Sequence, residues 1–324
     1  MPNAIVLREF GPAENLVFEE VERPEPGPGQ LRLRVSAIGA NYHDVYVCTG
    51  LYRTLDLPGI PGIELVGVVD ALGEGVTGPA PGTRVACVTG RYGCYAEEAV
   101  VPAELVLPMP DAVSDEAAAA GMLKGLTAAM LLTEAYRVGA ATTLLIHAGA
   151  GGVGQIVTRW AKALGATVIS TVGSEAKARV AQACGADHVV LYREEDFVAR
   201  VKEITGGRGV DVAYDSVGKD TFAGSLDCLA PLGHLVNFGQ ASGPVPPFEV
   251  SRLAAGSHTL LRPIIFHYLA DPARRGPLFE MLLGALEAGL VTPDVALSLP
   301  LSEAAEAHRA LESRALAGAV ILRP

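Results

Sequence analysis

The chain has 324 residues, half of them hydrophobic and 19% charged, with a mean hydropathy of +0.32. That much apolar material builds sizeable cores and excludes a disordered chain, and at roughly 150 residues per domain it fits about two domains. A formal net charge of −11 argues against non-specific nucleic-acid binding and anionic membrane surfaces, although a small-molecule site can still be locally basic.

Residues 1–110 read as β-rich. The runs LRLRVSAIGA (31–40), GIELVGVVDAL (62–72) and TRVACVTG (83–90) carry β-branched residues and lie among Gly and Pro turns, with RPEPGPGQ (23–30) as a connector. From residue 111 the pattern turns helical, and Ser114, three residues before Ala117, marks an N-cap region. A strand–helix alternation follows. Strands are expected at 142–149, 166–172, 187–192, 210–217 and 233–239, with helices between them. Apolar, uncharged strands in such an alternation imply a parallel sheet covered on both faces. Two amphipathic helices and a final strand, AVILRP, close the chain. That strand needs a partner, and the N-terminal β region offers the better one, which makes that domain discontinuous. The stretch between Arg137 and Arg159 is long enough for a membrane span, but Gly149, Gly151, Gly152 and Gly154 with polar His147 and Gln155 favour a strand, a tight turn and a helix start. The five cysteines are odd in number with no C-x-x-C pair, so reduced thiols and a cytoplasmic setting are expected. The N-terminus shows no secretory signal.

The strongest local signal is His147-Ala148-Gly149-Ala150-Gly151-Gly152-Val153-Gly154, between an expected strand and helix. Glycines there allow a tight turn and close backbone approach to a pyrophosphate, and the helix N-terminus supplies unpaired N–H groups. A site for the unphosphorylated nicotinamide dinucleotide puts an acid at the tip of the second strand. This strand ends Val172-Gly173-Ser174, with Glu175 and Lys177 beyond, so the phosphorylated form, NADP(H), is favoured. On the pattern alone, Lys177 reads equally as a 2′-phosphate ligand or a solvated helix residue.

These motifs, with AIGANYHDVYVCTGLY (37–52), LPGIPGIELVGVV (57–69), MLKGLTAAMLL (122–132), EITGGRGVDVAYDSVG (203–218) and NFGQASG (237–243), make the chain similar to the quinone oxidoreductase (zeta-crystallin-like) family of the medium-chain dehydrogenase/reductase superfamily. The resemblance runs nearly end to end. It implies a discontinuous GroES-like catalytic domain (1–124 and 264–324) and a Rossmann NADPH-binding domain (125–263), a doubly wound parallel sheet. It also implies a site in the cleft between them and a homodimer through the nucleotide-binding domain. Carried over residue by residue, Gly149, Ala150, Gly151, Gly152, Val153 and Gly154 would hold the pyrophosphate. Gly173, Ser174, Lys177 and Tyr192 would surround the 2′-phosphate, and Ser216, Phe238 and Gln240 would line the cofactor further along. Thr127, Lys124 and Asn41 would lie on the nicotinamide side. Tyr46 and Tyr52 would line the substrate pocket, with Lys124 and Arg262 as further catalytic candidates. Gln240 stands where the family usually has a small hydroxyl residue.

Zinc is rejected on the residues. The histidine of the superfamily's G-H-E signature is Ile63 here, and Asn41-Tyr42-His43-Asp44 stands where a cysteine is expected. His43 with Asp44 reads as a hydrogen-bonded pair, since catalytic zinc needs three protein ligands. NADPH-dependent reduction of quinones is the expected activity. Reduction of the C=C bond of enones or enals is the alternative, and an RNA-binding or structural role is a more distant one.

Overall fold

The computed structural model describes residues Met1–Pro324. In chain order the first elements are β1 (Asn3–Leu7), β2 (Leu16–Glu20), β3 (Gln30–Ala40), α1 (Tyr42–Cys48), β4 (Glu64–Leu72), β5 (Arg84–Val88), β6 (Glu98–Pro102), β7 (Val106–Pro108) and α2 (Asp115–Met130). The alternation is β8 (Thr143–His147), α3 (Gly152–Ala163), β9 (Thr167–Val172), α4 (Glu175–Ala183), β10 (His188–Leu191), α5 (Phe197–Ile204), β11 (Val210–Asp215), α6 (Phe222–Asp227) and β12 (Leu229–Asn237). Then come β13 (Thr259–Leu261), α7 (Ile265–Ala270), α8 (Pro272–Glu287), β14 (Val295–Pro300), α9 (Ala304–Glu312) and β15 (Ala319–Arg323). No helix is long and apolar enough to cross a membrane.

The chain divides into two compact units, Met1–Leu123 with Thr292–Pro324, and Lys124–Val291. The divisions at 123/124 and 291/292 compare with expected ones at 124/125 and 263/264. The second lies further along because residues 264–291 pack on the second unit. Leu282 and Val291 crowd Gly125, at 2.5 and 3.1 Å from where a Cβ would stand, and Arg274 pairs with Glu134.

The first unit is built on a seven-stranded sheet of order β14-β15-β3-β4-β5-β7, with β6 also on β3. β3 is long enough to carry two partners on one side. Its first half pairs with β6 and its last residues pair antiparallel with β15, Ile38 opposite Leu322. The final strand therefore returns to the N-terminal sheet. Leu33, Ile38, Leu65, Val85, Val320 and Leu322 meet in its core.

The second unit holds six parallel strands in the order β10-β9-β8-β11-β12-β13. The order reverses between β8 and β11, and in such sheets a crevice opens there beyond the strands' carboxyl ends. β13 is a strand beyond the five expected. Three of its helices start on side-chain caps: Ser174 accepts from Lys177 N on α4, Asp196 from Val198 N and Ala199 N on α5, and Asp271 from Ala273 N on α8. Ser114 Oγ likewise accepts the Ala117 N–H at the start of α2, 3.1 Å away.

A polar line crosses the first unit's core. Tyr95 Oη donates to Asp44 Oδ2 (3.2 Å) and meets His308 Nε2 at 3.1 Å. Burial pushes His308 down to about 4 and His43 down to about 4. Both imidazoles titrate near 6.5 in the unfolded chain, so their contribution to stability is complete above pH 6.5. It is lost as the pH falls toward about 4, because the unfolded chain takes up the protons first, at up to about 1.4 kcal/mol per pH unit for each histidine. Urea unfolding at pH 7.5 and pH 5 will show lower stability at pH 5, and His308→Gln will shrink the difference. An unchanged difference in that variant would remove His308 from the account.

Candidate active site and cofactor-binding turn

The expected pyrophosphate turn leaves β8 at His147 and enters α3 at Gly152. Ala148 takes a left-handed φ of 54°, Gly151 N donates to Ala148 O (2.8 Å), and Gln155 N donates to Gly151 O (2.9 Å). A Cβ on residue 154 would stand 2.4 Å from the Ala148 carbonyl and 2.7 Å from Gly149 Cα. Only glycine lets α3 begin so close to the strand it follows. α3 differs from α4, α5 and α8 in its cap, which is Gly151 and carries no side chain. The N–H groups of its first turn thus have no internal side-chain acceptor and supply the donors and partial positive charge an anion needs. Gly151, Gly152 and Val153 are half-buried, while Gly149, Ala150 and Gly154 are buried behind them and shape the turn. The Cδ and Cε of Lys124, itself buried on α2, lie where a side chain at residue 152 would stand, at 2.6 and 2.8 Å from its Cβ position. Thr127, three residues on, shares that side of α2 and is half-buried.

At the β9 and β10 tips, Val172 pairs with Leu191, which brings Gly173 beside the start of the next loop. Tyr192 Oη and Arg193 Nε approach the position of a Gly173 Cβ at 3.2 and 3.3 Å. Ser174 and Lys177 open α4 on the same strand tip. Arg193 is a cation the sequence reading missed. Its only signal was adjacency to Tyr192, and its meaning depends on the β9–β10 register.

The β11 and β12 tips gather Ser216, Phe238 and Gln240. Phe238 N donates to Asp215 O (2.8 Å) and Ala241 N to Ser216 O (3.1 Å), and Gln240 lies against Gly218. Arg262, just past β13, donates from Nη1 to the Asn237 carbonyl (2.9 Å) and so belongs to the same strand end.

Asn41, Tyr46 and Tyr52 belong to the first unit. Asn41 caps α1, a helix of aromatic and β-branched residues absent from the sequence reading. Its Nδ2 donates to Glu64 Oε2 (2.9 Å) and Gly39 O (3.1 Å), and Asp44 Oδ2 accepts from Asn41 N (2.9 Å). Tyr46 and Tyr52 pack edge to face with ring centroids 5.2 Å apart, and His43 lies 5.7 Å from Tyr52. His43 Nε2 is 3.4 Å from Tyr92 Oη, which also meets Thr54 Oγ1 at 2.5 Å. The first unit thus carries a half-buried aromatic wall of Tyr46, Tyr52 and His43, backed by Tyr92. Its hydroxyls can donate to an oxygen acquiring charge.

Two family models match the chain: one described as "Alcohol dehydrogenase GroES-like domain" over residues 27–111, the other as "Zinc-binding dehydrogenase" over residues 152–273. A 2-haloacrylate reductase from Burkholderia sp. is 42% identical over 331 residues, covering 100% of this chain and 99% of its own. A quinone oxidoreductase from Pseudomonas aeruginosa is also 42% identical, with 100% of both chains covered. The crystal structure of Escherichia coli quinone oxidoreductase complexed with NADPH matches with a TM-score of 0.96 at 40% identity, over 99% of this chain and 100% of that one.

The residues present do not fit the zinc in that second description. Ile63 is fully buried hydrocarbon, and Glu64 is held by Asn41 and by the N–H of Leu123 at 2.5 Å. Burial pushes the thiols of Cys87 and Cys94 up, away from the thiolate a metal requires. No group of three His, Cys, Asp or Glu side chains is placed to hold a metal ion.

The Gly154 contact gives a direct test. Gly154→Ala will weaken NADPH binding at least about tenfold, because the turn must shift. Gly284→Ala on α8, where a Cβ meets nothing within 4 Å, will leave binding unchanged. Calorimetric titration measures both, and equal affinities would refute the requirement.

Proposed function

The chain belongs to the quinone oxidoreductase family of the medium-chain dehydrogenase/reductase superfamily, and from that premise we propose that it reduces quinones with NADPH and without zinc. The observation that carries this reading is the capless turn at Gly149–Gly154 followed on the neighbouring strands by a cluster in which Lys177 and Arg193 flank a β9 tip, Val172-Gly173-Ser174, that carries no acid. NADPH, when bound, supplies the hydride; the protein supplies position and electrostatics. The N–H groups at Gly152–Gly154 hold the pyrophosphate. Lys177, Arg193, Tyr192 and Ser174 hold the 2′-phosphate, where a guanidinium and an ammonium replace the acid that would select ribose hydroxyls. Lys124, lying over Gly152, adds positive charge beside the turn, and Ser216, Phe238, Gln240, Thr127 and Asn41 are assigned to the nicotinamide side. A quinone taking up hydride leaves an oxyanion on a flat ring. Tyr46 and Tyr52 are assigned to stabilise it, and Arg262 to the substrate opening.

Reduction of an activated C=C bond is a second reading, favoured by the 42% identity to a 2-haloacrylate reductase. The same hydride step serves both, and steady-state rates with quinones and with enones, each with NADPH, separate them. A homodimer through the second unit and a cytoplasmic location complete the proposal. β13 ends the six-stranded sheet with an open edge, and the five free cysteines are all buried.

Two variants test the assignments. Changing Lys177 and Arg193 together to Ala will raise the KM for NADPH about 10- to 100-fold and leave that for NADH nearly unchanged, each lost charge-assisted bond being worth about 1.5–3 kcal/mol at most. Equal effects on the two cofactors would remove the 2′-phosphate assignment. Tyr52→Phe will lower kcat by less than about tenfold, because hydroxyl stabilisation is shared with Tyr46. A loss of about 10²–10⁴ would instead make Tyr52 a general acid.

A further inference from the structure

His147 ends the parallel strand β8 directly after the buried Leu144, Leu145 and Ile146, and it is 1% exposed. Its Nδ1 lies 2.7 Å from Thr171 Oγ1, at the tip of β9, and its Nε2 lies 2.8 Å from Ser225 Oγ, on α6. The partners fix its proton. The Ser225 hydroxyl donates to the Thr221 carbonyl at 2.8 Å, so Ser225 Oγ accepts from His147 Nε2–H, and Nδ1 accepts from the Thr171 hydroxyl. Burial lowers the imidazole's pKa, opposed by the charge of Asp215, in keeping with a neutral ring. Phe197 packs edge-on against it, with centroids 5.1 Å apart.

The line continues at both ends. The Thr171 carbonyl accepts Gly149 N–H at 3.2 Å, the first amide of the glycine turn. On the other side, Thr221 Oγ1 donates to Asp215 Oδ1 (2.7 Å), which also accepts Val217 N (2.8 Å) and Gly218 N (3.0 Å). One buried hydrogen-bonded line therefore runs from the glycine turn to the 215–218 loop, with His147 at its centre.

We propose that His147 is a positioning residue for the dinucleotide: by clamping β9 and α6 to the end of β8, it sets the spacing between the glycine turn and the 215–218 loop. It touches no ligand and acts through Thr171, Ser225 and Asp215. The inference rests on the NADPH reading above and adds to it a residue that reading does not use. His147→Phe fills the volume and deletes both hydrogen bonds. His147→Gln retains one acceptor and one donor on a flexible stem.

Calorimetric titration of the full-length variants with NADPH and with adenosine 2′-monophosphate tests the proposal, since the second ligand engages only the cluster at Gly173–Lys177, Tyr192 and Arg193. His147→Phe will weaken NADPH at least about tenfold, equivalent to about 1.4 kcal/mol, and change the adenosine 2′-monophosphate affinity by less than about twofold. His147→Gln will restore NADPH binding to within about threefold of the parent protein. Ser225→Ala, a smaller change that serves if the phenylalanine variant does not fold, will also weaken NADPH selectively. NADPH binding unchanged in these variants, or both ligands weakened equally, would overturn the positioning role. A parent protein that binds neither ligand would instead overturn the cofactor reading, and this inference with it.

Discussion

The close approach of α3 to the end of β8 is the constraint on which the second unit depends. With 2.4 Å between the Ala148 carbonyl and the place of a side chain at residue 154, the helix starts at once after the strand. Its uncapped amides then stand at the carboxyl end of β8, beside the reversal of strand order between β8 and β11. A longer connection with an Asp or Ser cap would make a better isolated helix and a poorer anion site, because the cap would occupy the donors. Here local stability is given up at one position, and the flanking parallel strands, buried on both faces, make up for it.

The first unit meets a different demand. It buries Glu64, Asp44, Asn41 and His308, groups that are expensive in a core unless hydrogen-bonded. Glu64 is satisfied from two directions, by the Asn41 amide and by a main-chain N–H of α2, while Asp44 takes the Asn41 N–H and the Tyr95 hydroxyl. Gly39 permits the first of these, because a Cβ there would stand 2.1 Å from Glu64 Oε2. A hydrogen-bonded framework thus fixes Asn41 and the start of α1, the helix that carries His43 and Tyr46.

Much of this was legible in the residues. Five apolar strands alternating with helices announced the parallel sheet, and the orphan strand at 319–323 pointed back to the N-terminal β region. The glycine turn stood out because it sat inside that alternation. What escaped depended on contacts distant in sequence. α1 is spelled YHDVYVC, residues that favour strands, and becomes a helix because Asn41 and Asp44 hold its first turn. β13 is three residues with no period to detect. His43 also reaches Tyr92 on a separate loop, and Arg193 acquires its place from strand register. The second division falls at 291/292 because α8 packs beside Gly125, a contact that no local pattern encodes.

The pairing of β15 with β3 also bears on how the molecule is made. Residues 124–291 hold all six strands of their sheet in one uninterrupted stretch, so that unit can acquire its core during synthesis. The first unit waits for residues 319–323 to join a strand at residues 30–40, a closure of very long range and therefore slow. Until then β3 presents an open edge near Ile38, and the nascent chain exposes an unpaired, apolar strand of the kind that recruits chaperones or neighbouring chains. Vulnerability to aggregation is thus concentrated in the half of the molecule that carries the aromatic wall, and it lasts until the last strand is in place.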